Sequence, residues 1–311
     1  MPSAPAPRSE LIDVGRGPRL HVLHWGEDHT DPTPLVLIHG LASNARLWDG
    51  VAATLAANGH RAVAVDLRGH GRSDKPDHGY EMASVADDVA ALLETLGFTA
   101  PGVRAVVSGQ SWGANVVIEL AVRHPDAAAA VVCVDGGTIT LSERFDTFDA
   151  CWEVLAPPRF PPELTREQLV ARMRKGNAHW PDSGVNGALA CFEDLADGTV
   201  RPWLTRDRHQ AVLAGLFAHR PHDRLAEIKV PVLFIPADTG EVAWSRDKRA
   251  AVDAALEVLA DGRVRWFSPA DHDVHAQYPE EVAALLQGLA QEVRPAVNAT
   301  HKLGTNPDGR S

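Results

Sequence analysis

The sequence predicts an α/β protein in which a mostly parallel central sheet is flanked by helices and a helical segment is inserted late in the chain. Three observations carry this. Short β-branched runs such as "RAVAVDL" and "AAVVCVDGG" alternate with longer stretches whose apolar residues recur at helical spacing, the signature of helices wrapped around a parallel sheet. The alternation stops after Gly137. It resumes at "VPVLFIP" after a stretch rich in Pro and Trp.

Taken in order, "PLVLIHG" is a strand ending at His39, and "RLWDGVAATLAANGH" is a helix closing on Gly59. "RAVAVDL" is the next strand and runs into the charged, glycine-rich loop "RGHGRSDKP". "SVADDVAALLETLGF" is a helix with Ser84 as its expected N-cap. "VRAVVSG" is a strand followed at once by the helix "SWGANVVIELAVRH", and "AAVVCVDGG" is a further strand. Residues 138–225 read as a helical cap, with "APPRFPPELTREQL" marking a break and a new helix start. After "VPVLFIP" come a helix near 243–260, the strand "RVRWFS" and a last helix from about Glu280 to Glu292. The expected organisation is a disordered N-terminus at 1–10, a core of 11–137 and 226–293, the cap at 138–225, and a disordered tail at 294–311.

The chain has 311 residues, enough for one sizeable core plus an insertion, and a formal net charge of -11. Such an acidic balance argues against nucleic acid and anionic lipid as partners, since both call for clustered Lys and Arg. The three cysteines, Cys133, Cys151 and Cys191, fit neither a disulfide framework nor a zinc ribbon. No apolar run reaches membrane-spanning length and no signal-peptide core is present, so the expectation is a cytoplasmic protein. The reading leaves room for a homodimer.

"SGQSWGA" sets Gly109, Ser111 and Gly113 in the pattern G-x-S-x-G between a strand and a helix. Such a turn holds a serine in a strained backbone with its hydroxyl exposed, and small neighbours let the strand and helix close on each other. A helix beginning there also aims free N–H groups at a developing oxyanion. Ser111 is therefore the candidate nucleophile.

With that motif on the page, the sequence resembles the α/β-hydrolase superfamily from about Leu20 to Leu289. "LIHGLASNARLW" is similar to the family's His-Gly oxyanion loop, and "DLRGHGRSDKP" to the loop after its next strand. The resemblance implies the α/β-hydrolase fold and an oxyanion hole formed by the backbone N–H groups of Leu41 and Trp112, each worth about 3 kcal/mol to a tetrahedral intermediate. His39 and Gly40 in the same loop are candidate substrate-binding residues. "GHG" lacks the spacing and the following Lys of a phosphate-binding loop, so no nucleotide role is expected.

A serine needs a neighbouring base, and histidine titrates nearest to working pH. Of 15 histidines, His272 lies in "FSPADHDVHAQYPEEVAALL", between the last strand and the last helix and seven residues before Pro279. The resemblance assigns the base to that position. Asp271 departs from the family there, where glycine is usual. His275 could form an H-x-x-H pair with His272, but no third ligand is near, and no metal is expected.

The third member must accept a hydrogen bond from the far nitrogen of His272. The chain order Ser, Asp/Glu, His confines it to residues 112–271. The family's commonest acid lies roughly nine residues beyond the proline that opens the strand here written "PVLFIP", a position filled by Gly240; Asp238 is two residues early and Glu241 one late. The rival is Asp135, directly after "VVCV", where some superfamily members carry their acid. Asp135 is favoured, Asp238 is the rival, and both stay open.

Trp152, Trp180, Trp203, Phe145, Phe148 and Phe192 fall in the cap. Most should serve its own core, with Trp152 a candidate substrate contact. The expected activity is hydrolysis of ester-type bonds (carboxylic ester, lactone or thioester) in a small, largely apolar substrate, with no cofactor. Alternatives on the same three residues are carbon-carbon bond hydrolysis and cofactor-free perhydrolysis. A non-catalytic small-molecule binder of the same fold is the alternative of another class.

Overall fold

Strands buried on both faces read as continuous apolar runs rather than alternating ones, and the central strands of this protein are of that kind. The computed structural model describes residues 6–294. β1 (Arg8–Ile12) and β2 (Leu20–Trp25) open the chain as an antiparallel pair. β3 (Leu35–Ile38) leads through α1 (Asp49–Ala57) to β4 (Ala62–Asp66), which leads through α2 (Met82–Thr95) to β5 (Ala105–Gln110). α3 (Trp112–Arg123) then connects β5 to β6 (Ala128–Val134). β3 to β6 are buried at every position.

The segment between β6 and the next core strand folds over one end of the sheet. It comprises α4 (Leu141–Arg144), α5 (Phe148–Leu155), α6 (Arg166–Gly176), α7 (Asp182–Leu189), a ribbon of β7 (Phe192–Asp194) and β8 (Val200–Pro202), α8 (Arg206–Ala218) and α9 (His222–Leu225). Its small core joins Leu164, Leu169, Phe192 and Val200. β9 (Val232–Ile235), α10 (Val242–Val258), β10 (Gly262–Val264), α11 (Val274–Gln277) and α12 (Pro279–Glu292) complete the chain.

The eight-stranded sheet runs β1-β2-β4-β3-β5-β6-β9-β10, parallel from β4 onward. Alternate strand residues serve opposite layers. Val36, Val63 and Val107 pack with α2 and α3, whereas Leu35, Leu37 and Val106 pack with α1 and α12. The chain crosses from β3 to β4 on one side and later returns to β5 on the other, so the loops after β3 and β5 leave the sheet side by side. In open parallel sheets such a reversal of strand order is where ligands bind.

Four expectations change, and a fifth falls almost wholly outside the described residues. Residues 8–10 belong to β1 and pair with β2 rather than forming part of a disordered start. The expected tail, 294–311, lies outside the described residues apart from Arg294, which reaches Asp31 at 2.9 Å. Ser84 is not an N-cap: the helix begins two residues earlier, its N-cap is Glu81, and the Ser84 hydroxyl donates to the Glu81 carboxylate. The cap is not wholly helical, because Asp197-Gly198, with Gly198 at φ +84°, closes the β7–β8 ribbon, a turn pair that favours hairpins. The strand expected as "RVRWFS" is also shorter, pairing only through Val264 and then by a single bridge from Phe267 to Ala237.

Candidate active site

Ser111 joins β5 to α3 with φ 53° and ψ -118°, a left-handed backbone that costs energy for any residue with a Cβ. Two contacts explain the glycines around it. A Cβ on Gly109 would stand 2.0 Å from the carbonyl oxygen of Gly113, and one on Gly113 would stand 2.6 Å from that of His39. The turn is fastened sideways as well: the Ser111 N–H donates to Val134 O at 2.9 Å, tying it to the end of β6.

The loop after β3 lies beside this turn because Ile38 is in register with Gly109. Leu41 lines the cleft next to Ser111. Trp112 is the first residue of α3, where backbone N–H groups have no intrahelical partner. Two buried histidines hold the loop. His39 donates from Nδ1 to Gly40 O at 2.7 Å and accepts from the Leu67 N–H at 2.9 Å; His70 donates to Arg68 O and accepts from the Ala42 N–H at 3.2 Å. His70 also stacks on Trp112. Burial lowers the pKa of both imidazoles, so they work as neutral donor-acceptor links. His39 thus braces the loop and, like Gly40, which packs on Gln110 and the Ser111 Cβ, is not among the cleft-lining residues. The glycine-rich "GHG" stretch braces the same loop.

Because β6 is the neighbour of β5, the residue after β6 emerges next to Ser111. That residue is Asp135, at φ 42°. His272 Nδ1 donates to Asp135 Oδ2 at 2.6 Å, while Asp135 Oδ1 accepts from the Ala237 N–H at 2.8 Å and from Lys248 Nζ at 2.7 Å. Burial alone would raise the Asp135 carboxyl, but the His272 hydrogen bond and the charges of His272 and Lys248 outweigh it and hold the carboxyl below its ordinary value. For His272, desolvation opposes the charged form and the Asp135 bond favours it. The balance is a raised pKa, the Asp135 bond and charge prevailing over desolvation.

Asp238 follows β9, one strand further from β5. Its Oδ1 accepts from Ser245 Oγ at 2.5 Å and from the Gly240 N–H at 2.9 Å, and its Oδ2 pairs with Arg249 at 2.7 Å. These partners hold it at about 2. Glu241 is exposed and serves as the backbone N-cap of α10.

Ser111 and His272 share a cleft of about 800 Å³ beneath the cap, walled by apolar residues such as Leu47, Phe160, Met173, Trp180 and Leu204, and by Arg159, Arg201 and Arg206. Ser111 and His272 are not hydrogen-bonded to each other among the described residues; such bonds are commonly long without substrate. Trp152 is behind this wall, edge-on to His209 with the Arg206 guanidinium over its ring, and does not line the cleft. His275 is buried against Trp48, and burial holds it neutral, near 3. No metal-binding cluster is found among the described residues. No described helix is long and apolar enough to cross a membrane.

Two neighbours of the site, Gln110 and Lys248, escaped sequence reading, and so did the partners of a third, Asp271. Gln110 donates from Nε2 to His272 O at 3.3 Å, Lys248 backs Asp135, and Asp271 accepts from Trp180 Nε1 at 3.0 Å and pairs with His179 at 2.7 Å. Gln110 could have been found, since it directly precedes Ser111. A second Ser-His-Asp chain also exists: Ser9 Oγ is 2.8 Å from His21 Nε2, and His21 Nδ1 is 2.8 Å from Asp66 Oδ2. Ser9 sits within the edge strand β1 rather than at a strand-to-helix turn, and it does not line the cleft.

A left-handed serine between strand and helix, at the switch point of a mostly parallel sheet and under an inserted cap, defines the class of hydrolases built on the α/β-hydrolase fold. The profile of the Alpha/beta hydrolase family matches residues 35–285, and the chain belongs to that family. A 2-(acetamidomethylene)succinate hydrolase of Mesorhizobium japonicum is 36% identical over 273 residues, 88% of this chain and 91% of the relative. A non-heme chloroperoxidase of Streptomyces lividans is 26% identical over 86% of this chain and 95% of its own length. Among solved structures, E-2-(acetamidomethylene)succinate hydrolase aligns with a TM-score of 0.74 and 26% identity, over 92% of this chain and 99% of the other. A thioesterase domain from the curacin biosynthetic pathway aligns at 0.70 with 21% identity, over 91% and 100%, a likeness of fold alone. The protein is an enzyme, an α/β hydrolase.

Proposed function

We propose that the protein is a serine hydrolase of ester-type bonds in which Ser111 is the nucleophile, His272 the general base and Asp135 the acid that orients it. The observation that carries the reading is the 2.6 Å bond from His272 Nδ1 to Asp135 Oδ2, beside a strained Ser111 in one cleft. Ser111 Oγ attacks the substrate carbonyl while its proton passes to His272 Nε2. The oxyanion is received by the N–H groups of Leu41 and Trp112. Asp135 accepts the Nδ1 proton in a hydrogen bond and stabilises the imidazolium without taking the proton. His272 then protonates the leaving group. A water attacks the acyl-serine, giving its proton to His272, and Ser111 is released.

The apolar wall suits a small, largely uncharged acyl group. A second reading is favoured by Arg159, Arg201 and Arg206 on the cap side of the cleft: a substrate that also carries a carboxylate, for which guanidinium groups offer matched donors. The succinate in the name of the 36% identical relative supports it. The test of the nucleophile is a fluorophosphonate probe with p-nitrophenyl acetate as substrate. Labelling and turnover should both vanish in Ser111→Ala, and a folded wild-type protein that resists the probe would overturn the reading.

A further inference from the structure

Lys248 lies on α10 with a side chain only 8% exposed. A buried ammonium is expensive unless its charge and donors are satisfied. Here Nζ donates to Asp135 Oδ1 at 2.7 Å and to Ala237 O at 2.8 Å. The carboxylate is thus divided between two tasks: Oδ1 is held from behind by Lys248 and the Ala237 N–H, and Oδ2 is left facing His272.

We propose that Lys248 is a positioning residue of the Asp135–His272 pair, fixing the carboxylate through Oδ1 and offsetting part of the negative charge that the imidazole feels. The inference rests on the reading of Ser111, His272 and Asp135 as nucleophile, base and acid. The charged and titratable groups near His272 are Asp135 beyond β6, Asp271 and Asp273 in its own loop, His275 on α11 and Lys248 on α10. Three of them are acids, His275 is held neutral by burial, and Lys248 is the cation bonded to the Asp135 carboxylate, while Arg159, Arg201 and Arg206 line the cap side of the cleft that His272 shares. Unopposed, the acids would keep the imidazole protonated to higher pH, and a protonated His272 cannot take the Ser111 proton. Lys248 acts in the opposite sense and keeps free base available near neutrality.

The test is kcat/KM for p-nitrophenyl acetate against pH in the wild type and in Lys248→Met, Lys248→Gln and Lys248→Arg. Both neutral variants should move the acid limb upward by about one pH unit. They should then lose about tenfold at pH 6 while staying within about tenfold of the wild type on the alkaline plateau. Lys248→Gln keeps a polar head one bond shorter than the ammonium, so its comparison with Lys248→Met separates loss of charge from loss of polarity. Lys248→Arg should restore the wild-type limb. Uniform loss at all pH values with an unmoved limb would reduce Lys248 to a structural role. So would neutral variants that fail to fold by circular dichroism while Lys248→Arg folds. A wild type without any acid limb would instead overturn His272 as base, which separates the two failures.

Discussion

Gly136 lies against the peptide of Ser111: a Cβ at position 136 would stand 2.3 Å from the Ser111 carbonyl oxygen and 2.8 Å from its Cα. The turn that carries Asp135 and the turn that carries Ser111 therefore occupy one shared space. Neither can shift alone. In Gly136→Ala the added methyl meets backbone, which no rotamer change relieves. Overpacking of this kind costs about 1–3 kcal/mol. The expected result is a lower thermal midpoint and at least a tenfold slower reaction with a fluorophosphonate probe.

The two candidate acids part company on their partners. Asp135→Asn replaces an acceptor of the His272 Nδ1 proton, and kcat for p-nitrophenyl acetate should fall by roughly three to four orders of magnitude. Asp238→Asn loosens side-chain bonds to Ser245 and Arg249, neither of which bonds His272 or Asp135, and should change kcat by less than about threefold. Equal losses in the two variants would remove Asp135 from its role.

The cap arginines give a substrate-dependent prediction. If a carboxylate docks near Arg159 and Arg206, each Ala substitution should raise KM about tenfold for an ester bearing a free carboxylate, the worth of one charge-assisted hydrogen bond. KM for an uncharged ester of the same size should stay within about twofold. Equal effects on both esters would favour the largely apolar substrate.

Asp66 is a prediction about stability. Its carboxylate accepts from His21, from the Ala45 N–H at 2.7 Å and from the Arg72 N–H at 2.9 Å, so Asp66→Ala strands buried donors and should cost about 3 kcal/mol in urea unfolding. Burial would raise this carboxyl, but the His21 bond and its other partners prevail and lower it from 3.8 to about 2. A depressed acid contributes stability that is full above its unfolded value, near 4, and is lost as pH falls toward 2. The wild-type advantage over Asp66→Ala should therefore shrink over that window. Ser9→Ala, at the far end of the same chain, should leave probe labelling unchanged.

The parallel core was legible because its strands are continuous apolar runs, and the strained turn at Ser111 because Gly109 and Gly113 satisfy a steric demand visible in local spacing. The acid was legible only as a pair of candidates. Asp135 and Asp238 both follow buried strands, and what separates them is which strand lies beside β5, a long-range pairing that one-dimensional spacing does not carry. His39 was a candidate substrate contact by its place in the His-Gly loop; its two ring bonds to the backbone turn it inward. Lys248 gave no signal, since a lysine on an amphipathic helix normally reads as solvated surface. The β7–β8 ribbon had one in Asp197-Gly198, outweighed by the helical periodicity around it.

The bond from Trp180 to Asp271 limits how this protein could be reshaped. Enzymes on this scaffold invite pocket exchange by transplanting the covering segment, as if it were an interchangeable part. Here the segment is anchored one residue from His272, at an aspartate that accepts from both Trp180 and His179. A donor segment without equivalents of those two side chains would arrive unmoored and leave the histidine's loop without its brace. A workable chimera must carry residues 179–180 together with 271–272, so the unit of exchange spans two stretches of chain more than 90 positions apart.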